Sequence, residues 1–199
     1  MASVKRIMSE LAAYVAAIAD ALDNKQVGQV IDLLVKAHEQ KAKILVIGAG
    51  RSGLVARAFA MRLMHLDFNV YVVGETITPA IGPNDILIAI SGSGSTRLVV
   101  TAAQIAKEIG AIIVAITSYR DSPLGKLADY LVIIPGRTKI ARRDDYLARQ
   151  IIGEHEPLAP LGTLFEVSSM VFLDSVISEL MARLGYTEEK MKAKHATIE

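Results

Sequence analysis

The 199-residue chain has no cysteine and no tryptophan, and aromatic residues make up only 5% of it. Without cysteine there can be no disulfide, no thiolate nucleophile and no cysteine-ligated metal. Net charge is also nearly absent, because 22 Lys and Arg stand against 21 Asp and Glu, a formal +1. That balance gives no broad attraction to nucleic acid or to an anionic membrane surface. No apolar run reaches the roughly 18 residues of a membrane span. The first residues, Met1-Ala2-Ser3-Val4-Lys5-Arg6, lead into an amphipathic helix rather than a secretory signal. The expectation is a cytoplasmic protein with no nucleic-acid partner and no membrane partner.

Apolar residues, by contrast, are abundant at 52%, enough to bury a core as a single domain over 1–199. Within it the pattern divides into N-terminal helices (1–41), a main sheet with its helices (42–136), a loop (137–160) and a C-terminal helix and tail (161–199). Leu11, Tyr14, Val15, Ile18 and Leu22 recur at helical spacing, and so do Val27, Val30, Ile31, Leu34 and Val35 after a break near Asp23. Their apolar faces require cover from the domain or from another subunit. Five short Val- and Ile-rich runs follow: Ile44–Ile47, Val70–Val73, Ile86–Ile90, Ile112–Ile116 and Leu131–Ile134. Consecutive apolar positions mark strands covered on both faces, as in a parallel sheet. Helical patterns at about 52–66, 95–109 and 122–128 alternate with them. The reading is an α/β three-layer sandwich with a five-stranded parallel sheet.

Two loops carry the functional signal. Gly48-Ala49-Gly50-Arg51-Ser52-Gly53 follows the first strand, and Ser91-Gly92-Ser93-Gly94-Ser95-Thr96 follows the third. Each leads from a strand end to a helix start, where free N–H groups and the helix dipole favour an anion. In a parallel sheet, ligands bind at this edge. The first loop fits G-x-G-x-x-G, and Glu75 follows the second strand, so a dinucleotide site is one reading. The second loop, with four hydroxyls in six residues, favours a phosphate held by Ser91, Ser93, Ser95 and Thr96. The plain alternative is that Ser95 or Thr96 caps the next helix.

Glu166, near the start of the last helix, is either a dipole-complementing acid or a general base. Of the four histidines, His38 falls on a polar helix face and reads as solvated. His65 ends an apolar helix and is either a C-terminal cation or an acid/base group. His155 lies in the long loop and His195 in the tail. No histidine pair has metal-ligand spacing, so no metal site is expected. Arg142-Arg143-Asp144-Asp145 reads as a solvated loop.

These segments, together with Ala60-Met61-Arg62-Leu63-Met64-His65-Leu66, Val73-Gly74-Glu75-Thr76, Gly162-Thr163-Leu164-Phe165-Glu166 and Lys194-His195-Ala196, stand in one order along the chain. In that order the chain resembles the 6-phospho-3-hexuloisomerase family of the sugar isomerase (SIS) domain superfamily, over nearly its whole length. The resemblance implies a flavodoxin-like SIS fold and a homotetramer with sites near subunit contacts. It implies cofactor-free interconversion of D-arabino-hex-3-ulose 6-phosphate and D-fructose 6-phosphate through a cis-enediol. That step belongs to formaldehyde fixation by the ribulose monophosphate pathway, alongside 3-hexulose-6-phosphate synthase. On this reading Glu166 is the base and His65 or His195 moves a proton or polarises the carbonyl. Gly50, Arg51 and Ser52 line the sugar, and the four hydroxyls hold its phosphate. A non-catalytic sugar-phosphate sensor and an isomerase of another sugar phosphate are the alternatives.

Overall fold

In the computed structural model, residues 3–136, 160 and 162–194 are described. Helices α1 (Val4–Ala21) and α2 (Asn24–Gln40) precede strand β1 (Lys43–Gly48), helix α3 (Arg51–His65) and β2 (Asn69–Val72). Then come β3 (Ile86–Ile90), α4 (Arg97–Ile109), β4 (Ile112–Thr117), α5 (Pro123–Leu127) and β5 (Tyr130–Ile133). Helices α6 (Thr163–Leu184) and α7 (Glu188–Lys192) follow. The five strands form one all-parallel sheet in the order β2-β1-β3-β4-β5.

Strand alternation sends side chains into two cores. Ile44, Val46, Ile86, Ile88, Ile90, Val114 and Ile116 join the layer of α1, α2, α3 and α6. Leu45, Ile47, Leu87, Ala89, Ile113 and Ala115 pack with Val99, Ala103 and Ala106 of α4 and with Leu124 of α5. Every residue of β3 is buried, which is why the central strand reads as an unbroken apolar run.

The order places a topological switch between β1 and β3. The chain leaves β1 toward one edge through α3 and leaves β3 toward the other through α4. The two departing loops therefore splay apart above the carboxyl ends of neighbouring strands and open a crevice there. Both glycine- and serine-rich loops lie at this crevice.

Two local expectations are corrected. His38 is half-buried rather than solvated, with its ring edge-on to Phe68 at 4.9 Å and to Tyr186 at 6.1 Å. The short helix α7 has no counterpart in the apolar pattern of the sequence. It is fixed by buried Met191 and by Lys194 just beyond it, which pairs with Asp67 at 2.8 Å.

Candidate active site

Close packing dictates the first loop. A Cβ on Gly48 would stand 2.5 Å from the Ser52 carbonyl oxygen, and Gly50 has φ +56°. Only glycine allows the strand to meet the helix so closely and then adopt this left-handed turn. Arg51 and Ser52 are thereby set in the first turn of α3.

The second loop is braced from behind. The Gly92 carbonyl accepts from Ser118 N at 3.1 Å and from the Thr117 hydroxyl at 3.3 Å. The Gly94 carbonyl accepts from Leu124 N at 2.9 Å. Gly94 has φ +61°, and a Cβ there would stand 2.0 Å from Ser122 Oγ. With these carbonyls engaged by the β4–α5 segment, hydroxyls and N–H groups are left to face the crevice. The hydroxyls pair in twos: Ser91 with Thr96 at 3.1 Å, and Ser95 donating to Ser93 at 3.1 Å. Thr96 holds the N-cap position of α4, yet its side chain makes no capping hydrogen bond. The capping alternative for this residue is therefore set aside.

Glu166 comes from the first turn of α6. Its N-cap, Gly162, has φ +91°, and a Cβ there would stand 3.1 Å from Glu166 Oε1, so the carboxylate folds back over its own helix start. Arg51 Nε donates to Glu166 Oε2 across the 115 residues that separate them in sequence.

Helix ends follow a pattern. Ser3, Asp23, Ser122 and Thr187 cap α1, α2, α5 and α7 with side-chain oxygens. The N-termini of α3, α4 and α6 have no side-chain cap. All three open onto one cavity of about 660 Å³, lined by Gly50, Arg51, Ser52, Ser91, Ser93, Ser95, Thr96, Phe165 and Glu166. Three uncapped helix ends around one space give it a partial positive charge, which at α6 is met by the Glu166 carboxylate. The volume is in the range of small-ligand sites.

Eight of the ten residues singled out in the sequence are thus brought together. His65 is not among them. It is the last residue of α3, 3% exposed, and the helix between it and Arg51 spans about 21 Å at 1.5 Å per residue. His195 lies outside the described residues, as do His155 and the Arg142–Asp145 segment. Glu75 is engaged by Arg57 at 2.8 Å and does not line the cavity, which removes the acid that a dinucleotide ribose would need. Among the described residues, no group of three or more His, Cys, Asp or Glu is placed to hold a metal ion.

The SIS domain family matches residues 38–152. A Bacillus subtilis protein named 3-hexulose-6-phosphate isomerase is 37% identical over 98% of this chain and 97% of its own length. An uncharacterised Aeropyrum pernix protein is 56% identical over 98% of this chain and 92% of its own. A Methanococcus jannaschii crystal structure, for which a 3-hexulose-6-phosphate isomerase function was inferred, superposes with TM-score 0.77. It is 34% identical and covers 96% of this chain and 98% of its own.

Proposed function

The chain belongs to the SIS domain family, and we infer from that membership and from the cavity that it is a 3-hexulose-6-phosphate isomerase. It interconverts D-arabino-hex-3-ulose 6-phosphate and D-fructose 6-phosphate. The observation that carries this reading is a single carboxylate, Glu166, sharing one cavity with the hydroxyl-rich mouth of α4.

Moving a ketone from C3 to C2 requires a base for the C2 proton, which the adjacent carbonyl acidifies. Glu166 takes that proton, a cis-enediol forms, and the proton returns at C3. A second proton moves between O2 and O3. Ser91, Ser93, Ser95 and Thr96, with the N-terminal N–H groups of α4, hold the phosphate, and Gly50, Arg51 and Ser52 line the sugar. Anchoring the phosphate fixes the reacting carbons relative to the carboxylate, so binding energy is converted into orientation.

The active assembly in this reading is a homotetramer with each site near a subunit contact. One feature supports it: apolar side chains are left exposed on adjoining helices, with Val4 and Met8 on α1, Leu54, Met61 and Met64 on α3, and Val171 on α6. His65 is buried within its own chain a helix length from Glu166, which does not support a role for it at this cavity. The protein acts in the cytoplasm beside a 3-hexulose-6-phosphate synthase, in formaldehyde fixation. No described helix is long and apolar enough to cross a membrane.

The test supplies the 3-ketose phosphate from ribulose 5-phosphate, formaldehyde and the synthase, and follows fructose 6-phosphate. Rapid product formation that disappears in Glu166→Gln is expected. Tight sugar-phosphate binding without turnover would instead assign the chain to the sensors or to another sugar phosphate.

A further inference from the structure

Among the described residues lining the cavity, Arg51 is the only cation and Glu166 the only acid. Arg51 Nε is committed to Glu166. No described residue accepts a hydrogen bond from Arg51 Nη1 or Nη2. The Arg51 side chain is 61% exposed while that of Glu166 is 14% exposed, so the free edge of the guanidinium is open to an incoming ligand and the carboxylate is sheltered behind it.

Charge changes place during the isomerisation described above, on which this inference rests. When the C2–H bond breaks, its proton goes to Glu166 and its electron pair forms the C2=C3 bond. The π pair of the C3 carbonyl moves onto O3. The carboxylate loses its charge as O3 gains one, within reach of the same guanidinium. We propose that Arg51 is a catalytic residue: its guanidinium polarises the C3 carbonyl and transfers its pairing from Glu166 to the O2/O3 edge of the enediolate. Two cis oxygens on a planar enediolate present an edge like that of a carboxylate, and the planar guanidinium fork matches it. A lysine ammonium offers the charge without the fork.

The test compares Arg51→Lys and Arg51→Ala with the wild type. It measures kcat and KM, and calorimetric affinity for fructose 6-phosphate and for a phosphorylated four-carbon hydroxamate, a planar anionic mimic whose carbonyl and N–O groups stand in the places of C3–O3 and C2–O2 of the enediolate. Arg51→Lys is expected to lower kcat about 100-fold or more, in line with loss of a preorganised charge partner. KM and fructose 6-phosphate affinity should change by less than about threefold, while hydroxamate affinity falls by a factor close to that in kcat/KM. Unchanged kcat with a raised KM overturns the proposal, as does an equal loss of affinity for both ligands, since either makes Arg51 a uniform binding residue. An inactive wild type overturns the isomerase reading itself, whereas an active wild type matched by Arg51→Lys overturns only the role of Arg51. With the Arg51 side chain 61% exposed, the pair contributes modestly to stability, so the variants are expected to melt within a few degrees of the wild type.

Discussion

Thr96 stands where a helix cap belongs, yet its hydroxyl lies 3.1 Å from Ser91 Oγ and makes no bond to its own helix. The contact holds the two ends of the β3–α4 loop together and leaves the first N–H groups of α4 for a ligand. Thr96→Val and Ser91→Ala each remove one hydroxyl with little change of shape. A hydrogen bond to a charged group is worth about 1.5–3 kcal/mol. Each variant is therefore expected to bind fructose 6-phosphate roughly 10- to 100-fold more weakly in a calorimetric titration, with secondary structure intact by circular dichroism.

Gly94 cannot carry a side chain. Its φ is +61°, and a Cβ would stand 2.0 Å from Ser122 Oγ and 2.9 Å from Thr117 Oγ1. Gly94→Ala combines overpacking with a left-handed backbone, and about 2 kcal/mol or more should be lost in urea unfolding. Ser122→Gly in the same chain should restore part of that loss.

Ser168 and Ser169 of α6 are 2% and 0% exposed, and neither Oγ has a hydrogen-bond partner among the described residues. A buried hydroxyl without a partner carries a desolvation cost. Ser169→Ala should therefore raise stability by about 1 kcal/mol, read as an upward shift in the urea midpoint at constant slope. A loss of stability would show that the hydroxyl is satisfied in solution.

Asp67 joins the α3–β2 turn to the C-terminal segment. Lys194 lies 2.8 Å from its carboxylate and the Tyr186 hydroxyl donates to it at 2.9 Å. Lys194 first, and then Tyr186, hold the Asp67 carboxyl below its ordinary 3.8. Burial first, and then the hydrogen bond to Asp67, raise the Tyr186 phenol above 10.0. A lowered carboxyl stabilises the fold above its unfolded value, and that stability is lost as pH falls through the folded one. A raised phenol stabilises below its unfolded value, and that stability is lost as pH rises through the folded one. The advantage of the wild type over Asp67→Ala should therefore be flat from about pH 5 to 9 and shrink beyond either limit. With the Asp67 side chain 47% exposed, it should amount to less than about 1 kcal/mol.

Glu75 is bound to Arg57 outside the cavity. Glu75→Ala should leave turnover within about twofold, because an exposed pair contributes little. NADH fluorescence should not change on titration with the protein.

The sheet was legible because burial on both faces leaves a local mark: β3 reads Ile86-Leu87-Ile88-Ala89-Ile90, and all five side chains are buried. The two loops were legible because glycine and hydroxyl residues stand where strands hand over to helices. The pairing of Arg51 with Glu166 left no local mark, since it joins residues 115 apart. The half-buried position of His38 leaves no local mark for the same reason, as its aromatic neighbours Phe68 and Tyr186 arrive from distant elements. Helix α7 has only five residues, too few for an apolar period to register, and it is held by tertiary contacts. The helical pattern at about 52–66 already implies the separation of His65 from the first loop, since Arg51 and His65 stand at opposite ends of one helix.

The uneven distribution of helix caps makes the substrate part of the architecture. A side-chain cap is typically worth about 1 kcal/mol, and α3, α4 and α6 go without one. In the proposed reading, a bound sugar phosphate supplies to α4 what Ser3, Asp23, Ser122 and Thr187 supply to their own helices. Occupancy and folding are then linked: at a free ligand concentration 100 times Kd the folded state gains about 2.7 kcal/mol. The resistance of this enzyme to heat and proteolysis should rise and fall with the supply of the metabolite it converts.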